Sequence, residues 1–191
     1  MQSVKNLNRI SNVKKMIITA VCAALCVVLP FAFHSVPNGG TIFSPIHIPV
    51  LLCGLLCGWQ YGTVCGILGV TLSSVITTMP PAAYLPPMLI ECAVYGFMCG
   101  LMMKLVKTKS FAADVYISLI TSMLAGRVIA GIAKALFFAA GKFTMEAWFT
   151  GYFVTSLPGI ALHLILIPAI VFALSRAKLI PKRYSNGSEN D

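Results

Sequence analysis

The chain has 191 residues, 58% of them hydrophobic and only 10% charged. A soluble domain carries roughly 25% charged residues, so the composition excludes one and points to a single membrane-embedded bundle. The net charge of +9 does not mark a nucleic-acid binder. Most Lys and Arg residues fall in three clusters that flank apolar runs: Lys5, Arg9, Lys14 and Lys15; Lys104, Lys107 and Lys109; Arg176, Lys178, Lys182 and Arg183. That is the positive-inside pattern, with an anionic leaflet as the partner.

Six apolar stretches predict six membrane-spanning helices. A basic N-terminal segment, 1–15, leads into a first span at about 16–33, read as a retained helix and not a cleaved signal. The second span, about 42–58, opens with Pro45 and Pro49. A tight polar turn over Gly58–Gly62 leads to a third, about 61–78. The fourth runs about 84–106, the fifth about 112–140 and the sixth about 150–175. The membrane domain is thus 16–175, and 176–191 is a basic tail ending in a polar stretch expected to be disordered. The predicted fold class is an all-α integral membrane protein, a six-transmembrane-helix bundle with both termini cytoplasmic. The loops at 34–41 and 79–83 hold no Lys or Arg, the loop at 141–149 holds only Lys142, and all three are expected outside.

Seven cysteines, Cys22, Cys26, Cys53, Cys57, Cys65, Cys92 and Cys99, lie in apolar segments without C-x-x-C spacing. They are expected to be small buried hydrophobes, not metal ligands or disulfides. Small residues recur four apart: Ala20 and Ala24; Gly54, Gly58, Gly62 and Gly66; Gly96 and Gly100. Such spacing lets helix backbones approach closely, and for the glycines internal packing is expected.

Apart from cysteine and tyrosine, the ionisable residues read as lying well inside the spans are Glu91, Arg127, Lys134 and His163. A charge at mid-membrane is costly and is paired, faces a cavity or handles a polar substrate. Arg127 and Lys134, seven apart, share one face of the fifth helix, roughly 10 Å apart along it. Counting from the outer ends puts Glu91 level with Lys134 and His163 level with Arg127, all in the outer half. Two fixed cations and one anion leave a cation over, which an anionic ligand would neutralise, and Arg suits a carboxylate. The plainer alternatives are that Lys134 snorkels to the interface, that Glu91 belongs to a structural pair, and that His163 bonds a backbone carbonyl. The polar outer loop His34–Gly40, which includes Asn38, and the proline-rich Thr77–Pro87 suit a ligand. Trp148, Tyr152 and Phe153 stand at the outer mouth of the sixth span, as interfacial anchors or as rings that cap a pocket.

No phosphate loop, G-x-S-x-G elbow or H-E-x-x-H pair occurs, so the chain is not expected to hydrolyse ATP or to be an enzyme. It reads as a binding or transport subunit that draws energy from partners. With this, the chain resembles the substrate-binding S-component of an energy-coupling-factor (ECF) vitamin transporter. The residues that carry the resemblance are Ala20 and Ala24, similar to an Ala-x-x-x-Ala docking motif; the run His47, Ile48, Pro49 and Val50 followed by Gly54, Gly58, Tyr61 and Gly62; and Met79, Pro80 and Pro81 with Glu91, Tyr95 and Gly96. The resemblance covers about 16–175. It implies high-affinity binding of a vitamin or related micronutrient between the outer loops and the outer halves of helices four to six. It also implies association with a transmembrane T-component and two cytoplasmic ATPases in a prokaryotic plasma membrane, docking through Ala20 and Ala24, and no cofactor. By region, the substrate-binding candidates are Asn38, Glu91, Arg127, Lys134, Trp148, Tyr152 and His163. Pantothenate fits one surplus cation and is the first candidate; folates, lipoate, biotin and a neutral purine such as queuine stay open. Two other classes compete. A membrane enzyme acting on a lipid or prenyl substrate would need Glu91 and His163 within hydrogen-bond reach as acid and base. A structural scaffold would use the charges only to lock the bundle.

Overall fold

A computed structural model describes residues 10–33, 36–138 and 144–180. Lys5, Arg9, His34, Lys142, Lys182, Arg183 and the tail from Ser185 to Asp191 lie outside the described residues. The described chain is helical, and six segments are long and apolar enough to cross a membrane. The first is α1 (Asn12–Ala32), which starts where the Ser11 hydroxyl accepts a hydrogen bond from the Lys14 amide. It reaches a turn further toward the N-terminus than hydropathy alone indicates, because a side-chain cap can satisfy an exposed helix start.

The second span is split. Gly39–Phe43 forms the short helix α2, and His47–Cys57 forms α3. Between them Ser44 takes a left-handed conformation (φ 46°) and Pro45 cannot donate to a helical ladder. Gly58, at φ 94°, then turns the chain in one residue, and α4 (Trp59–Thr77) begins at once. The tight turn expected over 58–62 is therefore Gly58 alone; Trp59 to Gly62 are the first turn of α4. Helix α5 (Leu85–Leu105) carries Pro86 and Pro87 in its first turn, where an absent N–H is harmless. Helix α6 (Phe111–Ala133) passes into a π-helical turn, Lys134–Phe138. The sixth span starts later than expected: α7 (Met145–Phe149) and a second π-helical turn, Thr150–Val154, precede α8 (Leu157–Arg176).

Helix α3 is the centre of the bundle. Every residue from His47 to Leu55 is buried, and it packs against α1, α4, α5, α6 and α8. Its tightest surroundings are α4 and α5, joined by a seam of glycines. A Cβ added to Gly54 would fall 2.8 Å from the Gly96 carbonyl oxygen, and one added to Gly62 would fall 2.5 Å from the same atom. At Gly66 it would strike the Cys92 carbonyl, at Gly96 the Gly62 carbonyl, and at Gly100 the amide of Trp59. These are backbone atoms that cannot move aside, so the four-residue glycine spacing serves internal packing except at Gly58, where an added Cβ meets nothing within 4 Å and the residue makes the turn. Ala20 and Ala24 differ: both are exposed on the outer face of α1, beside Ile17, Val21 and Val28.

All seven cysteines are buried and free. Several tie helices together weakly: Cys26 donates to the Ile46 carbonyl at 3.7 Å and Cys99 to the Leu51 carbonyl at 3.5 Å. Gly96→Leu should abolish the α4–α5 approach and leave little or no monodisperse protein after detergent extraction. Gly40→Ala, where an added Cβ meets nothing within 4 Å, should change the melting temperature by only a degree or two, corresponding to about 0.5 kcal/mol.

Candidate substrate-binding site

The ends of α1, α4 and α6 meet the starts of α2, α5 and α8 around a cavity of about 800 Å³. That volume suits a drug-sized solute. One wall is apolar, built from Pro30, Met79, Pro80, Pro81 and Pro87. The proline loop is tied to the end of α4 by two serine hydroxyls: Ser73 donates to the Met79 carbonyl at 2.7 Å and Ser74 to the Pro80 carbonyl at 2.9 Å. The rest of the lining includes the polar residues Ser44, His47, Glu91, Arg127 and Tyr152, with the exposed Asn38.

Glu91 and Arg127 are both buried, at 7% and 3% exposure. Tyr95 links them. It lies four residues after Glu91 on α5, so both side chains share a face. Its hydroxyl donates to Glu91 Oε1 at 2.6 Å and accepts from Arg127 Nε at 3.2 Å. The ring reaches that position because residue 126 is glycine: a Cβ there would overlap the Tyr95 ring. A second glycine on α6 has the same role on the other side. Gly131 leaves room for the Trp148 indole, whose Nε1 donates to the Arg127 carbonyl at 3.2 Å. Phe153 lies 5.6 Å from the guanidinium carbon, in cation–π range. Arg127 is thus enclosed by three aromatic side chains, Tyr95, Trp148 and Phe153. No hydrogen bond from its terminal nitrogens is formed among the described residues.

Four of the seven residues picked from sequence line the cavity: Asn38, Glu91, Arg127 and Tyr152. Trp148 stands one layer behind Arg127. His163 is fully buried behind His47, with ring centroids 5.9 Å apart. Lys134 is not among the lining residues; its ammonium sits 5.7 Å from the centre of the Tyr84 ring, which is at the cavity rim. The cavity wall therefore carries one guanidinium and one carboxylate, not the two cations and one anion expected from depth counting. Depth along a helix does not give the direction a side chain faces, and a π-helical turn starts at Lys134.

Two further ionisable residues, His47 and Asp114, are also buried within candidate spans, beyond the four expected from sequence. Asp114 Oδ1 accepts from the amide and hydroxyl of Thr108, both at 2.8 Å, and so closes the turn before α6. His47 lies mid-span because α2 occupies the first part of that segment. The enzyme reading needs Glu91 and His163 within hydrogen-bond reach, and among the described residues neither nitrogen of His163 has a hydrogen-bond partner.

The family model described as ECF transporter, substrate-specific component, matches residues 14–171. The chain belongs to this family. Among curated proteins none matches it significantly. This ECF substrate-specific component is a multi-pass membrane protein that binds a substrate for its transporter, and not an enzyme. Sequence reasoning missed Tyr95 and His47 as site residues, although both stood in the stretches that carried the resemblance. The Glu91–Tyr95 spacing on a helix was the available signal. Tyr95→Phe should leave the carboxylate without its donor and Nε without its acceptor. It should lower the unfolding free energy by about 2–4 kcal/mol, measured by thermal or denaturant unfolding in detergent.

Proposed function

We propose that the cavity binds a small anionic vitamin-like solute arriving from outside, with Arg127 as the anchor for its carboxylate. The observation that carries this reading is the state of Arg127. Its side chain is almost fully buried, yet it stands on the wall of an 800 Å³ cavity, and among the described residues its one side-chain hydrogen bond is made by Nε. A buried guanidinium in a bilayer-spanning bundle needs more than one partner, and its two terminal nitrogens match a carboxylate edge in bidentate fashion. Pantothenate is the first candidate. Its carboxylate suits Arg127, its hydroxyl and amide donors suit Glu91, and its methyl groups suit the proline wall.

In this reading both termini are cytoplasmic, and the cavity opens outward. The partners are a T-component and two cytoplasmic ATPases, and α1 docks on the T-component. The outward position of Ala20 and Ala24 supports the docking part, since small residues on an exposed helix face allow close approach of another helix.

Mass spectrometry of the molecule released from denatured, freshly purified protein identifies the solute. Pantothenate, or another carboxylate, is expected; a cation or a solute without an anionic group would overturn the reading. Arg127→Met, which keeps length without charge, should weaken binding at least about 100-fold while the protein still elutes as a folded species. Ala20→Leu and Ala24→Leu should cut uptake by whole cells about tenfold or more and leave solute binding by the purified protein unchanged. Unimpaired uptake would remove these alanines from the docking face.

A further inference from the structure

The four ring nitrogens of His47 and His163 are buried without a hydrogen-bond partner among the described residues. His47 is the first residue of α3 and stands on the cavity wall. Its ring meets that of Tyr95 edge to face, with centroids 4.9 Å apart, so it adjoins the link between Glu91 and Arg127. His163 lies behind it on α8, one turn past Gly159, where α8 closes onto the end of α2. There it faces the backbone carbonyls of Phe43 and Ser44 without completing a hydrogen bond to either.

An unpartnered buried imidazole is costly, and two adjoining ones call for a partner from elsewhere. A neutral imidazole has one donor and one acceptor nitrogen, and the bond made by one nitrogen fixes the role of the other. Donating to the Phe43–Ser44 carbonyl edge and accepting from His47 would give each His163 nitrogen a partner. His47 would then keep one lone pair free, and the residue lines the cavity.

We propose that His47 is a substrate-contacting residue, held in one tautomer by His163 behind it, and that it accepts a hydrogen bond from a hydroxyl or N–H group of the solute. This rests on reading the cavity as the substrate site. It adds a second requirement to the anionic group at Arg127: the solute must carry a donor at a separate point. A plain aliphatic carboxylate satisfies Arg127 and leaves His47 without a donor, so such a molecule is selected against.

The probe is the low-molecular-mass fraction of a cell extract, which holds the solute whatever its identity. Protein loaded with it is desalted and denatured, and the retained solute is quantified by mass spectrometry. His47→Phe keeps the ring contact with Tyr95 and removes the nitrogens. It should retain at most about a tenth of the wild-type amount, while its empty form elutes as a folded species. Histidine-selective ¹⁵N labelling reports on only three imidazoles in this chain. In the wild type the His47 ring signals should move on loading, and in His163→Phe they should lose their single-tautomer pattern. Undiminished retention by His47→Phe, or unmoved His47 signals in the loaded wild type, would each overturn the proposal. So would a retained solute with no hydroxyl or N–H. A donor-bearing solute other than pantothenate supports the role of His47 and removes only the pantothenate assignment.

Discussion

A carboxylate and a guanidinium buried in a bundle that spans a membrane are costly unless other polar groups are held against them. Here one phenolic hydroxyl does most of that. Tyr95 gives its proton to Glu91 and its lone pair to Arg127, so opposite charges on α5 and α6 are joined through a neutral group. Much of the local architecture follows from making room for this link. Gly126 admits the ring, Gly131 admits the Trp148 indole, and that indole secures the backbone carbonyl of the arginine itself. Each glycine on α6 is therefore a steric condition for a polar contact, and neither is a flexible hinge.

The rest of the bundle holds α5 in place for that link. The seam of Gly54, Gly62, Gly66, Gly96 and Gly100 brings α3, α4 and α5 to backbone contact, where dispersion and shape, not hydrophobicity, drive association. Regularity decreases toward the cavity. There the second span breaks at Ser44, α6 loosens into a π-helical turn, and the chain re-enters through α7 and another π-helical turn before α8. π-Helical turns are frequent at functional sites. The molecule has a tightly joined end and an irregular end, and the cavity lies in the irregular one.

The number of spans, the packing role of most of the glycines and the position of Glu91 and Arg127 inside the bundle were legible in the sequence. They depend on composition and period, which a linear chain displays. The link through Tyr95 was not read, because a tyrosine in an apolar run looks like core until its hydroxyl's neighbours are known. Lys134 was misplaced for a related reason. Seven residues put it on the same helical face as Arg127, but facing and lining are different matters where a π-helical turn begins and an aromatic ring intervenes. His47 was read as part of a recurring run, since the split of the second span, which places it deep in the bundle, depends on the backbone conformation of Ser44. Span ends shifted wherever a cap or a left-handed residue, not hydropathy, set the boundary.

The two tryptophans of the chain stand at opposite ends of the bundle. Trp59 opens α4 beside Phe97, far from the cavity, whereas Trp148 is hydrogen-bonded to the backbone of Arg127 and in edge contact with Phe153. The indole emission of this protein is therefore the sum of one remote signal and one that originates beside the guanidinium. With Trp59 replaced by phenylalanine, the remaining fluorescence would come from the surroundings of Arg127 alone. The protein thus carries a built-in optical reporter of the surroundings of Arg127, placed there by the same glycine that lets the indole approach α6.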